Sequence, residues 1–518
     1  MTWIPLSALR AFGERTYAPW ALTLLATIGA VVLIVLVYPL DFLLHTPLGI
    51  HYIRQSDSLA FIQYFQLHPW SLLHPGTLDM HTAPMGGAAA GEFPIMYWLV
   101  AWLQRLTGCA PAALCVIQLT IVLIGHIAFV RAIQPILRSA WLALGIGLWM
   151  FGSSVAVFYG CNYLPDATAY GLVLIGWSFV LPSLFDGRMK IPFWSVFLFT
   201  LAGMIKAPVS MHLIAIAVLG LAQVVVSGDA KGRGRRALGS LMLFIPALLV
   251  VAAWHYHAMA YNEAHGTNYF LTGSSPIWSM TEPERSMTWD LITRYWWTKY
   301  LHPTTWHALA LLMVIIVVRL DRRSPMRYVL LALLIGGCAA FVLLFFRKFA
   351  DHDYYFLTVM PLVGITMILG SHALLTWPWM SRARGVFTLI VWGIAVASTV
   401  LAATELQRRI AKVPDQYSRT GMMLADLSER SKAMDLPANS RIIVIGDLTP
   451  NGALTNIHRQ GWSYPGYPDR QVPQYQALLA NGASHVLVIA PAVRPTLPME
   501  PLLITPRYSL WRIIRPSI

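Results

Sequence analysis

Eleven apolar stretches of about 15–23 residues follow one another along the chain, near 19–40, 111–130, 140–160, 167–184, 191–205, 208–227, 238–257, 304–320, 328–346, 354–376 and 385–403. A hydrocarbon core of about 30 Å takes about 20 helical residues at 1.5 Å each. Inside that core every backbone N–H and C=O must be satisfied within the segment itself. The pattern therefore predicts a mostly α fold, a polytopic bundle of membrane-spanning helices. The stretch at 191–205 is the shortest. The first carries no small-residue cleavage site and is too long for a signal h-region, so it reads as an uncleaved anchor.

Composition agrees. Hydrophobic residues make up 57% and charged residues 12% of the 518 positions, with a mean hydropathy of +0.58. A soluble domain carries about 25% charge. The net charge of +14 does not indicate nucleic acid, because the basic residues sit in short clusters between apolar runs. Cys109, Cys115, Cys161 and Cys338 match no metal spacing and lie in or beside apolar spans, which argues against a disulfide framework.

The charge clusters fix a topology. Phe93 to Arg105 is apolar but reaches only about 20 Å, too short to cross, and reads better as a helix lying in the interface. With it left out and the N-terminus inside, sixteen Lys and Arg residues, from Arg10 and Arg15 through Arg138, Arg188, Arg322 and Arg323 to Arg384, fall on the cytoplasmic face. Counting it as a span would move fourteen of them outside, against the positive-inside rule. This parity places Asp57, Glu92, Asp166, Lys206, Arg347, Lys348 and His352 together on the outer side. It also places there a first loop at 41–110, a second at 258–303 and a C-terminal region at 405–518. The second loop is polar and aromatic. The C-terminal region has soluble composition, with Arg441–Gly446 and Ser484–Ala490 as buried strands and helical patterns near 419–433 and 470–481. The expected division is a transmembrane catalytic domain at 1–404 and a small extracytoplasmic α/β domain at 405–518.

Three acids stand out on the outer side. Asp57, in Arg54-Gln-Ser-Asp57, is expected to open an amphipathic helix, with Phe61, Ile62 and Phe65 on one face. Asp is a preferred N-cap residue, and that role is compatible with catalysis. Glu92 precedes Pro94, a favoured first-turn residue, where a positive helix end keeps it ionised. Asp166 directly precedes a span. Singly each is explained as a cap; three at the outer ends of separate elements call for more. Cations accompany them. Lys206 marks a break between two spans, and Arg347, Lys348, His352 and Tyr354 open the tenth. Arg54 precedes Asp57. Snorkelling to lipid headgroups is the plain alternative for Lys206 and Arg347. One base with cations for a phosphate suits transfer from a phosphate leaving group, which needs no general acid, whereas a glycosidase needs paired carboxylates. Glu92 with His265 is a candidate divalent-metal pair, since imidazole and carboxylate suit zinc.

The order of features resembles the GT-C glycosyltransferases of the protein O-mannosyltransferase and lipid A aminoarabinose transferase superfamily. It is carried by the acid after the first span, then EFPIMYWLVAWLQRLTG, YLPDATAYGLVLIGW, KAP and HDYYFLTVMPLV, with RIIVIGDLTPNGALTNIHRQGW similar to the outer domain of bacterial members. The resemblance implies Asp57 as catalytic base, Glu92 and Asp166 lining the same cavity, and a divalent metal at Glu92. It implies inverting transfer of a sugar from a polyprenyl-phosphate donor to lipid A or lipopolysaccharide, another glycan or a protein. It implies the bacterial inner membrane, with the site on the periplasmic face. Phe93 departs from the pattern, since aminoarabinose transferases carry a lysine there, so their phosphate and metal arrangement does not carry over. A ligase or polymerase of lipid-linked glycans is the alternative. A transporter fits less well, because ionisable residues near the midplane are few and repeated halves are lacking.

Overall fold

The computed structural model describes residues 6–514 apart from 83–85, 188–189, 227–229, 268–269, 271–272, 322–323, 412–415, 435, 466–471 and 490–497. Arg188, Arg322 and Arg323 thus lie outside the described residues. Each of the eleven apolar stretches has a helical counterpart. Among the described residues, eight helices are long and apolar enough to cross a membrane unaided, including Pro19–Val37, Ala113–Leu137, Asp166–Phe185 and Pro325–Leu344. Two further stretches belong to bent pairs, Ala140–Phe151 with Ser154–Gly160 (73°) and Glu282–Tyr300 with Pro303–Val318 (93°). The helix Phe193–Ile205 has only 13 residues.

The first bend corrects the expectation of one continuous span over 140–160. Ser153 accepts a hydrogen bond from the Ala156 backbone N–H and so starts a new helix. The second loop contains helix of its own. Thr281 and Glu284 form a capping box that launches the helix Glu282–Asp290. Close backbone approach marks the bundle interior. A Cβ on Gly125 would lie 2.7 Å from the Gly171 carbonyl oxygen, and one on Gly171 would lie 2.9 Å from that of Ile121. Small residues at such crossings let membrane helices pack by van der Waals contact, where lipid gives no hydrophobic drive.

The bundle has two chemically distinct ends. Arg138 and Arg384 meet where the Ala113–Leu137 helix stops and the Arg384–Ala411 helix starts (Arg384 Nη1 to the Arg138 carbonyl, 3.2 Å). Arg327 donates to the Phe185 carbonyl at the same end. At the other end lie the start of Asp166–Phe185, the break at Lys206 and the C-terminal sheet.

That sheet has the order β2-β1-β3-β5-β4. β1 (Arg441–Ile445) and β3 (Ala483–Ile489) are the two strands legible in the sequence, because both are buried through most of their length and read as apolar runs. β2 (Gly461–Tyr464) pairs parallel with β1, and β5 (Tyr508–Ile513) and β4 (Met499–Ile504) add antiparallel beyond β3. The first outer loop extends the free edge. Met80 N–H donates to the Gly461 carbonyl (2.7 Å), and Gly461 N–H to that of Leu78 (3.1 Å). The sheet region is thereby clamped onto the loop that carries Asp57.

Candidate active site

The helix Tyr52–Leu67 organises the site. Its N-cap is His51, in the left-handed region at φ 59°, so Asp57 lies in the second turn and caps nothing. This corrects the expectation that Asp57 opens the helix; Tyr52, Ile53 and the polar residues after them are helical because tertiary packing buries both faces. On one face Arg54, Ser58 and Phe61 meet the helix Ile95–Thr107 and its approach. On the opposite face Tyr52 meets the C-terminal region so closely that a Cβ on Gly452 would lie 2.9 Å from the Tyr52 ring, and one on Gly421 2.4 Å.

Asp57 is 2% exposed. Its Oδ2 lies 3.8 Å from Arg54 Nη1, and its Oδ1 accepts a hydrogen bond from Asn451 Nδ2 at 3.1 Å. Asn451 is held by a turn in which Asp447 accepts from the Thr449 N–H and hydroxyl and from the Ala453 N–H, each at 2.8 Å. It occupies the N-cap position of the helix Gly452–Ile457, yet its side chain caps nothing. Its amide instead reaches Asp57 and, through Oδ1, the Asp79 N–H at 3.0 Å.

Glu92 accepts from Arg54 Nη2 at 2.7 Å and from the Tyr97 hydroxyl at 3.0 Å. Burial raises the pKa of this carboxyl, but the charges of Arg54 and Lys206 outweigh it and hold the pKa below its ordinary value. Phe93 N–H donates to the Met204 carbonyl at 3.1 Å, tying the Glu92 segment to the Lys206 break. That break is local chemistry: Pro208 has no N–H to donate to the Met204 carbonyl four residues earlier and its ring would clash with it in a continuous helix, and Lys206 is extended between Phe193–Ile205 and the turn Ala207–Val209. Lys206 Nζ lies 2.7 Å from Asp166 Oδ1, and 5.1 and 4.6 Å from the ring centres of Tyr354 and Tyr355. Burial lowers its pKa, but the charge of Asp166 overcomes this and the net shift is upward. Lys348 Nζ donates to the Gly273 carbonyl at 3.1 Å. Its pKa is lowered by burial and further by the neighbouring Lys206 and Arg54 charges. His352 shares a short hydrogen bond with Asp351 and packs on Tyr354 and Tyr355, with burial pulling its pKa down.

Thus Arg54, Asp57, Glu92, Asp166, Lys206, Lys348, His352 and Tyr354 converge. Arg347 turns elsewhere, to Glu284 (2.7 Å), with its side chain 60% exposed. Glu92 and His265 share no hydrogen bond. His265 is engaged by the Tyr261 carbonyl (2.8 Å), and among the described residues no group of three or more His, Cys, Asp or Glu is arranged to hold a metal ion. Glu92 faces two cations, which is the wrong field for a divalent metal.

Sequence reasoning missed Asn451, Tyr97, Phe270 (whose ring lies 5.1 Å from the Arg54 guanidinium) and a second buried cluster. There Asp353 meets Arg409 Nη2 (2.7 Å), His51 Nε2 (3.0 Å) and the Tyr159 hydroxyl. The only available signal for Asn451 was its place in the quoted GDLTPNGALT segment.

No protein-family model matches the chain, and a search of curated proteins finds no match. Solved structures do match. The apo form of ArnT, the lipid A aminoarabinose transferase, from Cupriavidus metallidurans aligns at a TM-score of 0.57 and 14% identity, over 94% of this chain and 98% of that one. The same protein bound to undecaprenyl phosphate aligns at 0.55 and 13%, over 95% and 98%. The apo oligosaccharyltransferase of Archaeoglobus fulgidus aligns at 0.51 and 12%, over 91% and 70%.

The chain shares the fold of these structures. In this chain the bundle presents its acidic and cationic groups at one end, under the C-terminal sheet. An apolar groove of about 670 Å³, lined by Met211, Ile214, Leu333, Gly337, Phe341 and Phe345 among others, runs along the bundle from Ala207, the residue after Lys206.

Proposed function

We propose that the protein is a membrane glycosyltransferase that moves a sugar from a polyprenyl-phosphate donor to an extracytoplasmic acceptor, with inversion. The observation that carries this reading is the meeting of two features at Lys206: an apolar groove suited to a polyprenyl chain, and the Arg54, Lys206 and Lys348 cations suited to its phosphate. The neighbouring protein crystallised with undecaprenyl phosphate gives the donor class a precedent. On this reading the site lies on the periplasmic face of a bacterial inner membrane, the outer side being the one that the positive-inside bias of the sequence favours.

In the proposed step the acceptor hydroxyl oxygen attacks the anomeric carbon and its proton passes to Asp57. The bond from that carbon to the phosphate oxygen breaks, and the electron pair leaves with polyprenyl phosphate. A single displacement inverts the configuration. Arg54 and Lys206 neutralise the charge gathering on the phosphate, and Glu92 and Asp166 hold those cations in place until it arrives. No step passes through a metal, because the Glu92 environment does not suit one. Asp57→Asn tests the role. It preserves size and replaces only the proton-accepting oxygen, so transfer falls by about 10²–10⁴-fold while the yield of folded protein holds. Full transfer by purified Asp57→Asn protein, with a polyprenyl-linked donor that the wild type uses, overturns the assignment.

A further inference from the structure

The C-terminal region reaches the proposed base through Asn451. Asn is a preferred N-cap residue, and Asn451 stands at that position before the helix Gly452–Ile457. Its neighbours have taken over the capping. Thr449 Oγ1 accepts from the Gly452 N–H at 2.8 Å, and Asp447 Oδ2 from the Ala453 N–H at 2.8 Å. The Asn451 amide is thereby directed away from its own helix. It bridges two other segments, with Nδ2 on Asp57 Oδ1 (3.1 Å) and Oδ1 on the Asp79 N–H (3.0 Å).

The orientation of that amide follows from its partners. A backbone N–H can only donate, so the end of Asn451 that meets Asp79 is the carbonyl oxygen. The end that meets Asp57 is then the NH₂ group, a donor. The reversed amide would set donor against donor at Asp79 and acceptor against carboxylate at Asp57. Both residues are sealed, Asn451 at 0% and Asp57 at 2% exposed, where water screens such a bond little. The support behind Asn451 is fixed too. The helix Gly452–Ile457 packs on the helix that carries Asp57, and Gln63 Nε2 of the latter donates to the Thr455 carbonyl at 3.1 Å.

We propose that Asn451 is a positioning residue for the transfer: it holds Asp57 Oδ1, fixes the plane of the carboxylate and so presents Oδ2 to the acceptor hydroxyl. The inference rests on the transfer reading above and adds to it a contribution from the C-terminal region. The hydroxyl proton passes to Oδ2, the oxygen on the Arg54 side (3.8 Å). The hydroxyl oxygen bonds to the anomeric carbon as polyprenyl phosphate leaves with its electron pair. The last torsion of an Asp side chain is broad, so the plane is set by what the oxygens touch. A misplacement of about 1 Å can cost about 10²-fold in rate. The C-terminal region is then part of the machinery of the transfer and not a separate attachment.

The test uses the purified full chain in detergent, mixed with a detergent extract of membranes from a host strain that lacks the gene. The extract supplies the host's own polyprenyl-phosphate sugars and acceptors. Release of polyprenyl phosphate, read by mass spectrometry against extract concentration, gives an apparent kcat and KM. Asn451→Leu keeps the volume and removes the donor. Its kcat should fall about 10- to 100-fold while KM stays within about twofold. In the Asp57→Asn background the same substitution should add nothing, because a residue that acts through Asp57 has no further effect once the base is gone. Asn451→Ser admits a water that can donate to Asp57 in place of the amide. It should recover part of the loss, and it carries the same comparison if Asn451→Leu does not fold. A kcat near the wild-type value, a loss confined to KM, or a further loss of similar size on top of Asp57→Asn each overturn the proposal. Misfolding of both variants would mark Asn451 as structural and overturn it too. No release by the wild type, or full release by Asp57→Asn, brings down the transfer reading instead.

Discussion

Two ion-pair clusters of similar chemistry lie at the same end of this molecule and do different things. In the first, Arg54 pairs with Glu92 and Lys206 with Asp166, and side chains keep some access to solvent: 22% for Arg54, 16% for Lys206 and 13% for Glu92. In the second, Asp353 is fully buried between Arg409 (5%) and His51. The second cluster joins four elements: the start of the Phe356–Leu375 helix, the end of the Arg384–Ala411 helix, the cap of the helix that carries Asp57 and, through Tyr159, the helix Ser154–Gly160. Exposure is the difference that matters. A cation that water can reach can trade its carboxylate for an incoming phosphate; a sealed one cannot, because breaking a buried pair leaves an uncompensated charge.

The largest effect should come from the sealed cluster. Arg409→Ala leaves Asp353 buried without its main counter-charge and should cost about 3–5 kcal/mol, read as a sharp drop in the thermal transition of the purified protein. An unchanged transition would erase the distinction between the clusters. Next is the open cluster. The double variant Lys206→Met with Asp166→Asn removes one pair without stranding a charge. Binding of undecaprenyl phosphate should fall by about 10- to 100-fold, the worth of a charged hydrogen bond, while the thermal transition moves little. Loss of stability without loss of binding would make Lys206 a structural residue.

The smallest effect is a pH dependence. The folded pKa of Glu92 is held below its ordinary 4.5, so its contribution to stability is fully present above about pH 4.5. That contribution is lost as pH falls through the lower folded value. Comparing the wild type with Glu92→Gln by thermal unfolding between pH 7 and pH 3 should show the two converging only below pH 4.5. Convergence already at pH 6 would mean that the cations do not hold this carboxylate.

Much of the frame was legible in the sequence. The apolar stretches, the short segment at 93–105 that became the helix Ile95–Thr107, the two buried strands and the sidedness of the charges all came from local composition. Most of the cationic residues singled out beside Asp57 did converge. Arg347 did not, because Glu284 of the second outer loop offers a nearer partner that no local pattern announces. Asp57 looked like a cap because Asp caps helices, but the chain enters that helix six residues earlier, through a left-handed His51 whose ring meets Asp353 some 300 residues away.

What the sequence determined by itself is the class of molecule and its polarity. Bilayer thickness and charge bias act on every segment separately, so neither needs the fold to be known. What only the tertiary structure decided is which partner each charge takes. The open cluster, the sealed clamp and the Asn451 bridge from Asp57 to Asp79 each join residues from distant segments, and the energy of such a contact depends on distance and burial, quantities the chain acquires only when it is packed.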